Sequence, residues 1–252
     1  MSGHSKWATI KRKKGAADAK RGQVFTRLTR EIVMSAREGG ADVDSNFRLR
    51  LAVEKARAQN MPKDNIERAL RRGAGLDKEG VTFEQVFYEG YGPHGVAFMI
   101  ECVTENRNRT VAELRHLLSR SGGNLGEAGS VGWQFNRQAY FALPAKGTNF
   151  DDVFMLAAEG GAEDVSQYED TIEITAPVES FKTVLDQLRA ANLHPEEAQL
   201  RMVSNQDMEL STDQTLQVMR CIESIEELDD VNNVYTNLHI SDEVMATLEE
   251  EE

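Results

Sequence analysis

The chain has 252 residues, 40% hydrophobic and 28% charged, enough to bury a full core and unlike a low-complexity chain. A formal net charge of −13 at pH 7 speaks against a uniformly basic polyanion binder, but the charge is divided. Residues 1–80 hold 19 Lys and Arg against 10 Asp and Glu, while the other 172 hold 10 against 32. Net charges of +9 and −22 are the asymmetry of a polyanion-binding arm on an acidic body. Pairing of the two poles within one molecule has the same composition. No apolar run approaches the roughly 18 residues of a membrane span, and no apolar signal segment opens the chain.

The first 20 residues show no sustained periodicity. They set Lys6 and Trp7 ahead of the run Lys11, Arg12, Lys13 and Lys14, with Lys20 and Arg21 following. An arm that orders on a phosphate backbone has this make-up, and so does a solvated tail. From Gly22 the pattern turns helical. Val24, Leu28, Ile32 and Ala36 recur every four residues and stop at Gly39-Gly40. Asp44 or Ser45 is placed to cap a second helix that ends near Asn60, before Met61-Pro62. A third helix runs from about Pro62 to Gly73, with Pro and Gly at its two ends. Arginines align on the expected outer faces: Arg27, Arg30 and Arg37 on the first helix, Arg50 and Arg57 on the second, Arg68 and Arg72 on the third.

Residues 73–80 read as a linker, and then the period becomes two. Two strands are expected around Gly90-Tyr91-Gly92-Pro93, followed by a helix with Thr110 and Glu113 as its capping box. Residues 130–137, SVGWQFNR, return as a strand that includes Trp133. Residues 139–204 spell strand, helix, two strands, helix and strand, the split βαβ or ferredoxin-like order. A helix over 211–228 and a strand over 232–240 complete the earlier sheet. The fold class expected is α+β: a basic arm (1–20), a three-helix bundle (21–76), and a middle α/β domain (77–136 plus 208–248). The ferredoxin-like domain (137–207) is inserted in the middle one.

Catalytic motifs are absent: no P-loop, GxSxG, HExxH or dinucleotide GxGxxG occurs in the right setting. Cys102 and Cys221 lie far apart in apolar runs, and the five histidines lack metal-ligand spacing. The expectation is no metal, no cofactor, no enzymatic activity, and thiols that suit a reducing compartment. Asp229-Asp230 and Asp151-Asp152 read as caps or solvated surface rather than cation sites. The glycines between Gly122 and Gly132 follow a helix and precede a strand, which suits caps and turns rather than a phosphate cradle. Arg107 and Arg109 fall at a helix N-terminus, where their charge opposes the dipole unless an anion arrives. That anion is either a ligand phosphate or a carboxylate of the acidic body.

Long blocks of the sequence resemble the YebC family: GHSKW (3–7), DAKRGQVFTRLTREI (18–32), AQNMPKDNIERAL (58–70), YEGYGP (88–93), ENRNRTVAELRH (105–116), GGNLGEAGSV (122–131) and DDVNNVYTNLHIS (229–241). His94 departs from the pattern where the family usually has a second glycine, and Phe47 where it often has proline. The resemblance implies a three-helix domain followed by two α/β domains, the last inserted in the second. It implies DNA-binding transcription regulators, in a family that also includes ribosome-associated translation factors. Because it starts at Met1, it also implies that the basic N-terminus belongs to the working protein, expected in a bacterial cytoplasm.

Three functions are weighed. A DNA-binding transcriptional regulator, non-enzymatic, comes first; a translation factor on ribosomal RNA or the ribosome is the alternative; a hydrolase is the weakest. The expected nucleic-acid contacts are Lys6, Trp7, Lys11, Arg12, Lys13, Lys14, Lys20, Arg21, Arg27, Arg30, Arg107 and Arg109, on a cytoplasmic protein expected to be monomeric.

Overall fold

A computed structural model describes residues 18–76, 83–168, 171–241 and 244, with side chains from Gly22 onward. Three helices open the described chain: α1 (Asp18–Gly39), α2 (Phe47–Ala58) and α3 (Lys63–Gly73). The four-residue apolar repeat of α1 buries Leu28, Ile32 and Ala36, with Val33 beside them. Against these pack Leu49, Ala52, Val53 and Ala56 of α2, and Ile66 and Ala69 of α3. Close packing of α1 on α3 depends on Gly73, where a Cβ would stand 2.5 Å from the Ala36 methyl. The cap of α2 is Asn46 rather than Asp44 or Ser45. Its Oδ1 accepts from Leu49 N at 3.1 Å, while its amide donates to the Ser35 carbonyl at 2.7 Å. One buried side chain thus starts α2 and ties it to α1. Phe47 is the first residue of that helix, a position that also suits proline.

An antiparallel sheet follows, with β1 (Glu84–Tyr91), β2 (Ala97–Thr104), β3 (Asn124–Leu125) and β8 (Val231–Thr236) in the order β3-β1-β2-β8. On it lie α4 (Arg107–Arg120) and α7 (Thr212–Glu226) around Phe98, Ile100, Leu114, Leu118, Val218 and Ile222. α7 starts at the capping box of Ser211 and Gln214. Between β1 and β2, His94 adopts φ 60° and ψ 16°. Glycine enters that left-handed region at no steric cost, which explains the residue usual there.

The second sheet contains β4 (Phe135–Pro144), β5 (Asp164–Gln167), β6 (Thr171–Ala176) and β7 (Glu197–Ser204) in the antiparallel order β5-β6-β4-β7. α5 (Phe150–Glu159) and α6 (Phe181–Ala190) complete the ferredoxin-like pattern. Trp133–Gln206 form one compact unit, and the described residues before Trp133 and from Asp207 onward form another. The stretch 130–137 is not a strand of the first sheet. It turns through Gly132–Gln134, leaving Trp133 71% exposed, and Phe135 begins β4 of the second sheet. The turn starts at Gly132, whose N–H is held by the carboxylate of Glu89.

Candidate nucleic-acid interface

Two anion sites of this fold are filled by the protein's own carboxylates. The first lies in the glycine-rich loop. Glu89, on β1, accepts from the backbone N–H groups of Gly129 at 2.8 Å, Val131 at 2.8 Å and Gly132 at 2.7 Å. Gly129 has φ +88°, which a side chain would strain. Burial pushes the Glu89 carboxyl up, but the three N–H bonds more than offset it and hold the pKa below the usual range. The loop is therefore both a set of turns and an anion cradle, and Glu89 already occupies it. YEGYGP and GGNLGEAGSV are two halves of this one structure.

The second site is Asp230, whose side chain is 1% exposed. Arg30 reaches its Oδ1 at 3.1 Å, and Arg109 reaches Oδ1 at 3.1 Å and Oδ2 at 3.0 Å. Thr104 and Thr110 donate to Oδ2 at 3.0 and 2.7 Å. Burial raises the Asp230 pKa, but the bonds from Thr110, Arg109 and Thr104 and the Arg30 charge outweigh it, and the net shift is downward. Two arginines and two hydroxyls supply what a buried carboxylate needs. Asp230 is thus neither a cap nor solvated surface, contrary to expectation.

Carbonyls at the end of α7 complete the contact. Gln23 donates to Glu227 O at 3.1 Å, Arg27 donates to Glu226 O, and Arg30 to Asp229 O. A helix leaves its last carbonyls unpaired and its C-terminus partly negative, so arginines from α1 are suited to close it. The outer-face assignment of Arg27 and Arg30 is therefore corrected. Arg30 is 9% exposed, Arg27 is half-buried, and both are engaged by the first sheet's own helix end. Their three-residue spacing reads equally well as outer face or as docking face, and only the position of Asp230 separates these.

In α4 the cap is Asn106, accepting from Arg109 N at 3.1 Å, and the helix begins at Arg107 rather than at the Thr110 capping box. Thr110 is instead buried against Asp230. The anion that Arg109 requires is Asp230, while Arg107 pairs with Glu84 at the surface and remains 62% exposed. Such an exposed pair is worth little and leaves Arg107 open to exchange. Lys6, Trp7, Lys11, Arg12, Lys13 and Lys14 lie outside the described residues, and Lys20 and Arg21 fall in the first turn of α1 without described side chains.

Exposed positive charge among the described residues gathers on α3. Arg68 and Arg71 are exposed, Arg72 is half-buried, and none of them enters an ion pair among the described residues. Arg68 lies on the outer face as expected, whereas Arg72 is half-buried. Arg71 is the one that sequence spacing hides, because Glu67 precedes it by four residues, as in a helical ion pair. In the fold Glu67 lies 3.5 Å from Lys63 instead. Beside this ridge lies a hollow of about 390 Å³ between α1 and α3, lined in part by Phe25, Asn65, Arg68, Arg72 and Phe83.

Comparison with known proteins places this architecture. Residues 5–76 match the model described as the TACO1/YebC protein N-terminal domain, and residues 83–238 match that of the TACO1/YebC second and third domain. A probable transcriptional regulatory protein of Acidithiobacillus ferrooxidans is 52% identical over 99% of both chains. One of Geotalea uraniireducens is 47% identical over 97% of this chain and 98% of its own. The crystal structure of a conserved hypothetical protein from Aquifex aeolicus superposes with a TM-score of 0.83 at 40% identity, over 90% of this chain and 94% of that one. The chain belongs to the TACO1/YebC family.

Proposed function

We propose that this chain is a nucleic-acid-binding regulator of gene expression that acts on transcription through DNA and performs no covalent chemistry. The observation that carries the reading is the separation of arginines in the N-terminal region. Arg27 and Arg30 are used internally, whereas Arg68 and Arg71 stay exposed, in a region of net charge +9. The names of its relatives as probable transcriptional regulatory proteins support the choice of transcription. No helix among the described residues is long and apolar enough to cross a membrane.

A second reading, a translation factor on ribosomal RNA, is favoured by the −22 on the remaining 172 residues. That charge repels a long duplex, whereas a narrow basic tip fits an RNA crevice. Crosslinking in cells, followed by sequencing of bound DNA and RNA, tests both. Recovery of discrete genomic sites supports transcription, recovery of ribosomal RNA supports translation, and recovery of neither overturns the proposal. Incubation of purified protein with Mg²⁺ and labelled DNA, RNA or nucleotide should leave each intact.

A further inference from the structure

The hollow between α1 and α3 is larger and more varied than a phosphate contact requires. At about 390 Å³ it falls at the small end of ligand sites. A phosphate on a helix surface needs cations alone, but this hollow adds two aromatic rings, a carboxamide and two hydroxyls to its arginines. Arg72 lies over the Phe83 ring, 5.1 Å from its centroid, and its Nε is buried without a hydrogen-bond acceptor. Arg72 enters no ion pair among the described residues, so the charge of its half-buried guanidinium is left for an anion entering the hollow. Arg30 lies 5.6 Å from the same ring, but its charge is already matched by Asp230.

The remaining lining suits a base. The hydroxyls of Thr26 and Thr29 donate to the carbonyls of Gly22 and Phe25 at 3.0 and 2.7 Å, so they offer a ligand lone pairs only. Exocyclic amino groups of bases are donors that match them. Asn65 contributes both a donor and an acceptor, and half-buried Phe25 provides an aromatic surface. Glu105 is the acid among the described lining residues, and it lies 3.9 Å from Arg109.

We propose that this hollow receives one unpaired nucleotide of a nucleic-acid strand, its phosphate on Arg68 and Arg72 and its base against Phe25, Thr26 and Asn65. The assignment rests on the nucleic-acid reading above and sharpens it, because a closed duplex keeps its bases stacked and offers none to the hollow.

The test uses the full chain and fluorescence anisotropy with a labelled single strand, the same strand carrying central abasic positions, and a closed duplex. Thr26→Trp fills the hollow from an exposed position of α1 and leaves every arginine in place, while Asn65→Leu removes the carboxamide. Each should weaken single-strand binding about tenfold and leave duplex binding unchanged. The abasic strand should bind wild type and Thr26→Trp alike. Wild-type affinity of both variants for the single strand, or equal losses on strand and duplex, would overturn the assignment. Competition by a free nucleoside monophosphate as effective as the strand itself would transfer the site to free nucleotides and overturn it too. Absence of binding by wild type to any of the three probes takes down the nucleic-acid reading itself. That result is distinct from intact binding that ignores the hollow.

Discussion

Arg30 and Arg68 lie on neighbouring helices of the same basic region and both line the same hollow, yet they serve opposite purposes. Arg30 is 9% exposed and bound to Asp230, whereas Arg68 is exposed and outside every ion pair among the described residues. Burial decides the difference. A guanidinium taken out of water has to find a carboxylate and carbonyls, and those contacts hold it in place instead of leaving its donors to a ligand. The net charge of +9 for residues 1–80 therefore overstates what this region presents to a polyanion. Among the described residues, Arg68 and Arg71 of α3 keep their charge at the surface, whereas Arg27 and Arg30 of α1 are held inside.

The strongest way to break the comparison is at Asp230. Asp230→Ala leaves Arg30 and Arg109 without their carboxylate and should cost about 3–5 kcal/mol of stability, read from urea unfolding. Nucleic-acid affinity of the folded protein should change far less. A stability loss below about 1 kcal/mol would show that the buried cluster contributes nothing net.

On the other side, Arg68→Ala with Arg71→Ala should leave the unfolding midpoint nearly unchanged, within about 0.5 kcal/mol per site. It should flatten the dependence of log affinity on log salt by about 0.9 for each duplex phosphate that is no longer neutralised. Replacing Lys11, Arg12, Lys13 and Lys14 with Ala should flatten it further. If Arg27→Ala has the larger effect on that slope, the division between internal and external arginines is wrong.

Glu89 offers a smaller effect with a pH signature. Glu89→Gln keeps an acceptor but loses the charge against Gly129, Val131 and Gly132, for a loss of about 1–2 kcal/mol. The folded carboxyls of Glu89 and Asp230 are held below their ordinary values. Their stabilisation is thus complete above the unfolded carboxylate pKa of about 4 and is lost as pH falls through the lower folded values. Urea midpoints of wild type and Glu89→Gln should differ at pH 7 and converge below about pH 4. A difference that stays constant across that range would mean the Glu89 charge is irrelevant to the loop.

The smallest expected effect concerns the thiols. Cys102 and Cys221 are both buried, and burial pushes both thiols up in pKa, away from the reactive thiolate. A thiol reagent at neutral pH should label neither before unfolding. Rapid labelling of native protein would show that the first sheet opens readily around α7.

The amino-acid sequence by itself determined the elements and their class. Apolar repeats of four residues placed α1 to α3, alternation placed β1 and β2, and the order over 139–204 announced the ferredoxin-like unit. These are local signals, because a helix or strand face is written in neighbouring residues. The sites were less legible, since each joins residues distant along the chain. Glu89 meets its N–H groups forty or more residues later, and one of them, that of Gly132, starts the turn that stands where a strand is expected. Asp230 joins Arg30 of α1 to Arg109 of α4 and turns two expected ligand contacts into internal ones. Periodicity gives the direction of a side chain around its own helix, but not what the fold brings to meet it. Only the tertiary structure decided which arginines are neutralised inside the protein and which keep their charge at its surface.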